Sequence, residues 1–282
     1  MMLKVITPLV SVEWLQENLE AENLIILDAT IPKVGAIKDV IKEKQQIKNA
    51  VFFDLKNVFL DAEGEYPNTI PSEDHFEKEA QKIGINNDSC IVVYDDLGVY
   101  SSPRVWWLFK AFGFTNITVL NGGLPAWEAA GCSVELPAKK EVVEGDFTAK
   151  FQKELLRVTE QILEASNNKD LIVDARSEGR FYATEPEPRA DMRGGHIPNS
   201  KSLPHGKLQS DGKMKSTEEL QQLFSEINPK NEHMTFSCGS GITACVLALG
   251  AEVSGYTKYS VYDGSWTEWA SRLELPVEKI VV

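Results

Sequence analysis

The sequence predicts an α/β protein built from two tandem domains, each with a mostly parallel β-sheet flanked by helices. Short apolar strands bounded by turn residues alternate with helical stretches, which is the pattern of parallel α/β units. The same order of elements also occurs twice along the 282 residues. A length of 282 residues alone allows two domains or one large domain, and the repeat favours two.

The elements of the two copies follow in matching order. A helix that Ser11 caps begins the first copy, and a helix at Thr159 begins the second. Four further segments of the first copy each have a counterpart in the second. They are the buried strands 24–29 and 171–175, segments 47–51 and 197–201, strands 90–95 and 234–238, and segments 119–123 and 261–265. Trp127 and Trp269 end the copies, and matching positions lie 142 to 150 residues apart. We therefore predict a first domain at 1–136, a linker at 137–152 and a second domain at 153–282.

The linker is predicted from composition. It includes Lys139, Lys140 and Glu141, and few of its residues are large and apolar. Such a segment has little apolar surface to bury in a core and is typical of a connection between domains.

Composition and charge exclude several classes of protein. The 42 acidic and 29 basic residues give a formal net charge of −13, and no cluster of Lys and Arg offers a surface for nucleic acid. No apolar run approaches the ~20 residues of a membrane helix, and residues 1–8 have no features of a signal or transit peptide. We expect no nucleic-acid or membrane partner and a cytoplasmic location. The four Cys and four His residues match no metal-ligand spacing, so we expect no metal and reduced thiols.

One cysteine has the surroundings of a nucleophile. Cys238 ends a predicted strand, and the loop Cys238–Thr243 (CGSGIT) leads into a predicted helix. Successive backbone N–H groups and a helix N-terminus favour a thiolate, and Gly239 and Gly241 give the loop the freedom to aim those groups at one centre. Asp95 holds the matching place in the first copy, so we expect the first domain to be catalytically inactive. Cys90, Cys132 and Cys245 are interpreted as small core residues.

The loop Cys238–Thr243 resembles the active-site loop of the 3-mercaptopyruvate sulfurtransferases, a family within the rhodanese superfamily of tandem domains. Other motifs that fit this family are Ser102–Trp107 (SPRVWW), Asn121–Gly123 (NGG), Gly195–Pro198 (GHIP) and Tyr262–Trp266 (YDGSW). The resemblance spans nearly the whole chain and implies two rhodanese-like domains, the second of them catalytic.

Two arginines fit a 2-oxo acid substrate. Arg180 and Arg189 lie nine residues apart in a Pro-rich stretch after the predicted strand 171–175. A guanidinium is a planar fork of donors suited to a carboxylate, and similarity to the family assigns substrate binding to both residues. The alternative is that they are solvated and pair with Glu185 or Glu187. Arg176 and Arg193 are interpreted as ordinary surface residues.

The resemblance implies sulfur transfer through a covalent persulfide on Cys238 without a bound cofactor. The Cys238 thiolate attacks the sulfur of 3-mercaptopyruvate, pyruvate leaves as an enolate, and the N–H groups of residues 239–243 (Gly239, Ser240, Gly241, Ile242 and Thr243) stabilise the anionic sulfur. Ser240 is expected to donate a hydrogen bond or to relay a proton. A thiol such as thioredoxin or glutathione, or cyanide, then accepts the outer sulfur.

Two residues of the first copy enter the hypothesis. Related enzymes commonly carry a His that is proposed to relay a proton, and Gln46 holds the position that we match to it. Because glutamine does not titrate, the proton donor stays open. We also predict that Tyr100 lines the substrate cleft.

Three other functions compete with this interpretation. Thiosulfate sulfurtransferase shares the fold and the nucleophile, but a dianionic donor favours cationic loop residues, and Gly239 and Ser240 are uncharged. A Cys-dependent phosphatase needs Arg six residues after its Cys, where this chain has Ala244. A non-catalytic sulfur carrier or docking protein would not need the complete Cys loop.

Overall fold

The protein is described here by a computed structural model, which covers residues 2–32, 45–138, 142–189 and 192–279. The chain forms two compact units, and each combines segments that are distant in sequence. Unit 1 consists of Met1–Ala62, Ile70–Gln152 and Asp211–Met214, and unit 2 consists of Glu63–Thr69, Lys153–Ser210 and Lys215–Val282. Lys139, Lys140 and Glu141 of the predicted linker lie outside the described residues.

Unit 1 is built on a parallel sheet with the strand order β1-β6-β5-β2-β4 over the described residues. Its elements are β1 (Leu9–Val10), α1 (Val12–Asn18), β2 (Leu24–Asp28), β3 (Gln46–Ile47), β4 (Val51–Phe52), α2 (Glu73–Lys82), β5 (Cys90–Tyr94), α3 (Ser102–Ala111), β6 (Ile117–Leu120), α4 (Gly123–Ala129) and β7 (Val134–Glu135). The short strands β3 and β7 pair antiparallel outside the main sheet.

Unit 2 repeats this sheet with the strand order β10-β9-β13-β14-β8, again all parallel over the described residues. Its elements are β8 (Leu156–Arg157), α5 (Thr159–Asn168), β9 (Leu171–Asp174), α6 (Glu178–Phe181), β10 (Lys201–Ser202), β11 (Gln209–Ser210), α7 (Thr217–Ile227), β13 (Met234–Ser237), α8 (Ala244–Val253), β14 (Tyr259–Tyr262) and α9 (Ser265–Ser271). The strand β12 (Lys213–Met214) lies between β11 and α7 in sequence and belongs to unit 1. Short 3-10 turns occupy Lys153–Leu155 and His205–Leu208. Corresponding strands hold corresponding places in the two sheets, which confirms the predicted fold class.

Helices cover the sheets with equivalent apolar residues. In unit 1, Leu15 of α1 and Trp127 of α4 are buried in one core cluster with sheet residues. In unit 2, Ile162 of α5 and Trp269 of α9 are buried in the corresponding cluster. Each of the two indole N–H groups donates to a backbone oxygen a few residues further along, at 2.9 Å for Trp127 and 2.8 Å for Trp269. The buried tryptophans thereby satisfy their polar groups while they fill the core.

The described part of the predicted linker lies along unit 1. The N–H of Gly145 donates to Gln81 O at 2.9 Å, and the N–H of Phe147 donates to Ile85 O at 3.1 Å. The Phe147 ring is buried among other phenylalanines of unit 1. This segment is therefore held by backbone hydrogen bonds and by an aromatic anchor. No helix in the described part of the chain is long and apolar enough to cross a membrane.

Candidate active site

The carboxyl ends of three neighbouring strands of unit 2 place the candidate site. In the sheet register Ser237, the last residue of β13, is paired with Asp174, the last residue of β9, and Phe236 is paired with Val261 of β14. Ligands of parallel α/β sheets bind beyond such strand ends. Cys238 follows β13 directly and exposes 1% of its surface.

The loop that begins with Cys238 is bound to the first turn of α9. The N–H of Cys238 donates to Ser265 Oγ at 3.1 Å, and Ser265 Oγ lies 3.9 Å from the sulfur. The carbonyl oxygens of Cys238 and Gly239 accept hydrogen bonds from the N–H groups of Trp266 and Thr267, each at 2.9 Å. The first N–H groups of a helix have no partner within the helix, and here the Cys loop supplies the acceptors. The loop is thus fixed by backbone contacts on both sides of the thiol.

Arg180 lies against Gly239, the residue after the cysteine, and Arg189 is linked to Gly239 through Thr267. A Cβ built on Gly239 would lie 3.1 Å from Arg180 Nη2 and 3.6 Å from Nη1, so the guanidinium of Arg180 lies against the loop. Arg189 Nη1 donates to Thr267 Oγ1 at 2.6 Å, and Thr267 Oγ1 donates to Gly239 O at 2.6 Å. The structure therefore brings together the two arginines that the sequence singled out. Their role in binding substrate stays a prediction.

A buried ion network stands behind Arg180, and here two sequence-based interpretations are wrong. Arg176 is not a surface residue: its guanidinium is bonded to Asp174 at 2.7 Å and to Glu187 at 2.8 Å, and it packs 4.3 Å from the Trp266 ring. Burial by itself lowers the pKa of Arg176, but the charges of Asp174 and Glu187 outweigh it and raise the pKa. Arg193 is also structural, because it donates to four backbone oxygens at 2.7 to 3.0 Å.

Asn68 is a site residue that the sequence did not reveal, as are Ser265 and Thr267. It belongs to the segment Glu63–Thr69 of unit 2, and its Nδ2 donates to Ser240 O at 2.8 Å and to Ser240 Oγ at 3.1 Å. Since the Ser240 hydroxyl accepts this bond, its own hydrogen is directed elsewhere. Gln46, the residue matched to the relay His, instead donates to Ala50 O and Glu135 in unit 1. Asn68 is 172 residues from Ser240 in sequence, and no local motif marks it.

We expect Asn68→Gly to lower kcat about 3- to 10-fold, the effect of losing one hydrogen bond that orients Ser240. Glycine is chosen because Asn68 has a φ of +64°, which glycine adopts without strain. Asn231→Gly is the matched control, since Asn231 also has a positive φ of +50° and is exposed. Pyruvate release under saturating donor is the measurement. Equal rates for the two variants would show that Asn68 does not orient Ser240.

The matching loop of unit 1 holds a carboxylate where unit 2 has the thiol. Asp95 follows β5 and is fully buried. Its Oδ2 accepts hydrogen bonds from Ser102 Oγ at 2.6 Å and from the backbone N–H groups of Tyr100, Ser101 and Ser102 at 2.8 to 3.0 Å. Its Oδ1 accepts from the N–H of Leu97 at 3.0 Å. The strand-to-helix turn of this fold therefore collects donors around an anionic side chain.

The other residues named from the sequence have separate places. Cys245 is buried in α8, where its thiol donates to Gly241 O at 3.4 Å, and Cys90 is buried in β5. Cys132 is half-buried against the core of unit 1. Tyr100 belongs to unit 1 and its place in a substrate cleft stays a prediction. Within the described ranges, no group of three or more His, Cys, Asp or Glu side chains could hold a metal ion.

Comparisons with known proteins agree with this geometry. The family of Rhodanese-like domains matches residues 11–130 and 158–272. The chain is 37% identical to the 3-mercaptopyruvate sulfurtransferase of Rattus norvegicus, over 94% of this chain and 93% of the relative. It is 38% identical to the thiosulfate sulfurtransferase of Gallus gallus, over 94% and 93% of the two chains.

A solved structure extends the likeness to three dimensions. The crystal structure of SseA from Escherichia coli, one of the 3-mercaptopyruvate sulfotransferases with the rhodanese fold, superposes with a TM-score of 0.82 at 32% identity. The match covers 92% of this chain and 99% of that one. The chain belongs to the rhodanese-like family. It is an enzyme of the sulfurtransferase class.

Proposed function

We propose that the protein transfers sulfur from 3-mercaptopyruvate to a thiol through a persulfide on Cys238. The observation that carries this proposal is that Arg180 lies against Gly239, the residue after Cys238, while Arg189 binds Thr267, whose hydroxyl donates to Gly239 O. Two guanidinium groups can bind the carboxylate and the keto oxygen of a 2-oxo acid and so hold its C3 sulfur near the nucleophile.

The proposed reaction balances with the groups at hand. The Cys238 thiolate attacks the substrate sulfur, so an S–S bond forms while the C–S bond breaks. The electron pair of that bond leaves with the enolate of pyruvate. The thiol proton of the substrate first stays on the persulfide and then protonates the enolate at C3. An acceptor thiolate next attacks the outer sulfur, which returns Cys238 as a thiolate and releases the acceptor persulfide. No cofactor enters this sequence.

Asp95 supports the proposal because its carboxylate in unit 1 occupies the place that the Cys238 persulfide would occupy in unit 2. Its carboxylate oxygens are two bonds beyond Cβ, the same count as the outer sulfur of a cysteine persulfide. Five donors of the unit 1 loop meet that carboxylate. Asp95 and Cys238 lie 143 residues apart, and the same shift matches the four backbone donors of unit 1 to the N–H groups of Ser240, Thr243, Ala244 and Cys245. The N–H of Cys245 donates to Ile242 O at 3.1 Å, which leaves the N–H groups of Ser240, Thr243 and Ala244. We propose that these groups stabilise the persulfide anion, and that unit 1, with its carboxylate in place, is catalytically inactive.

The choice of sulfur donor is argued from the loop. The named relatives include a 3-mercaptopyruvate and a thiosulfate sulfurtransferase at 37% and 38% identity, so overall identity does not separate the two donors. The residues after Cys238 are uncharged, which favours a 2-oxo acid over a dianion. Thiosulfate is the second candidate donor. For the acceptor we propose a thiol, with thioredoxin and glutathione as candidates, or cyanide in an assay.

The test compares the two donors on the wild-type protein. We expect kcat/KM for pyruvate release from 3-mercaptopyruvate to exceed kcat/KM for thiocyanate formation from thiosulfate and cyanide by about 10-fold or more, the factor that roughly 1.4 kcal/mol of differential binding produces. A ratio below one would assign the protein to the thiosulfate sulfurtransferases. Turnover of neither donor would contradict both assignments.

A further inference from the structure

Four buried or half-buried charges of alternating sign form a chain that ends at the Cys loop. Arg176 bonds Asp174 at 2.7 Å and Glu187 at 2.8 Å, and Glu187 bonds Arg180 at 2.6 Å. The side chains of the first three residues are at most 2% exposed, whereas that of Arg180 is 24% exposed. The four formal charges sum to zero. Arg180, the most exposed of the four residues, is therefore a cation whose charge is balanced by the buried carboxylates.

Glu187 fixes the direction in which Arg180 points. Its Oε2 accepts from Arg180 Nη2 at 2.6 Å and from Nε at 3.2 Å, so it occupies one edge of the guanidinium. The donors of a guanidinium lie in one rigid plane, and holding one edge therefore sets the orientation of the other. The Nη1 and Nη2 end faces Gly239, and the bonds to Glu187 use Nε and Nη2 but not Nη1. A planar fork is thus kept open beside Cys238.

Glu187 also removes net positive charge from this fork. A carboxylate that is 1% exposed interacts with its partners through a medium of low dielectric, where charge cancels charge strongly. Arg180 consequently offers directed hydrogen bonds with little net positive potential. A monoanionic 2-oxo acid can use the planar fork fully. A dianion such as thiosulfate depends more on net charge and gains less.

We propose that Glu187 is a specificity-determining residue, which orients Arg180 toward a planar 2-oxo acid and disfavours dianionic sulfur donors. This inference rests on the proposed function, since it explains the donor preference of the same site. Glu187 is a positioning residue, because it acts through Arg180 and contacts Arg176 on its other side.

The test is Glu187→Gln, which removes the charge at nearly constant shape. We expect the ratio of kcat/KM for 3-mercaptopyruvate to that for thiosulfate to fall about 10-fold, the effect of one charge-assisted hydrogen bond. Isothermal titration with pyruvate and with sulfate measures the same preference without turnover, and the affinity ratio should shift the same way. Glu185→Gln is the matched control: Glu185 is exposed, accepts from Ser177 Oγ, and should leave both ratios unchanged.

The outcomes separate this inference from the proposed function. If the wild type turns over neither donor, the proposed function fails, and the pyruvate-to-sulfate affinity ratio alone decides about Glu187. If Glu187→Gln lowers both donors by one common factor and leaves the affinity ratio unchanged, Glu187 is merely structural and the inference is overturned.

A second variant covers the case in which Glu187→Gln does not fold. Glu187→Asp keeps the charge but is one methylene shorter, so it cannot hold Arg180 in place. We expect KM for 3-mercaptopyruvate to rise several-fold in Glu187→Asp. An unchanged KM would overturn the positioning role.

Discussion

Replacing Cys238 by serine is expected to lower pyruvate release from 3-mercaptopyruvate at least about 10³-fold. Serine fits the site, because Cys238 is nearly fully buried and the two side chains are almost the same size. Its hydroxyl is a far weaker nucleophile at neutral pH, and it cannot carry a transferable sulfur. The fold should therefore remain while the reaction is lost.

The covalent intermediate gives this prediction a direct measurement. Wild-type protein mixed with 3-mercaptopyruvate without an acceptor should gain the mass of one sulfur atom on the peptide that contains Cys238. Cys238→Ser should gain none. Cys132→Ser is the matched control, since Cys132 is half-buried in unit 1 and outside the proposed site, and its activity should stay near that of the wild type. Sulfur found on the Cys90 or Cys132 peptide would contradict the mechanism.

Sequence patterns that are local predicted the fold and the nucleophile. Two central strands of each copy could be recognised because each is a short apolar run, and Asp28 and Asp174 mark matching strand ends. Cys238 and the loop after it are contiguous, so one stretch of sequence shows the thiol, the glycines and the helix start. The same reasoning located Asp95, whose carboxylate the structure places among backbone donors.

Contacts between distant residues could not be predicted in this way. Arg176 was interpreted as an ordinary surface residue, yet its side chain is buried against Asp174, Glu187 and Trp266. Asn68 lies in a turn-rich segment that precedes helix α2, and only the folded chain brings it to Ser240. These contacts are set by tertiary packing. The period of an apolar pattern reports only local secondary structure, so it does not predict them.

Removal of both substrate arginines should have the second large effect. We expect Arg180→Ala/Arg189→Ala to lower kcat/KM for 3-mercaptopyruvate roughly 10²- to 10³-fold, through a higher KM and a lower kcat. Each charge-assisted hydrogen bond to a carboxylate contributes about 1.5 to 3 kcal/mol. The carboxylate of the substrate does not react, so it is bound alike before and during the transfer, and loss of its partner raises KM. The keto oxygen gains negative charge as the enolate leaves, so loss of its partner also lowers kcat.

The double variant is the informative one because Arg180 contacts Gly239, Arg189 is linked to it through Thr267, and two cations on the same loop can partly replace each other. Lys207→Ala is the control: it removes an exposed cation that pairs with Glu178 of the same helix as Arg180, and KM should not change. Arg180→Lys separates charge from shape. Lysine keeps the positive charge but lacks the planar guanidinium. Relative to the wild type, Arg180→Lys should therefore retain a larger fraction of thiosulfate turnover than of 3-mercaptopyruvate turnover. If KM for 3-mercaptopyruvate stays flat in the double variant, both arginines are solvated partners of Glu187 and Thr267, and the 2-oxo acid must be bound elsewhere.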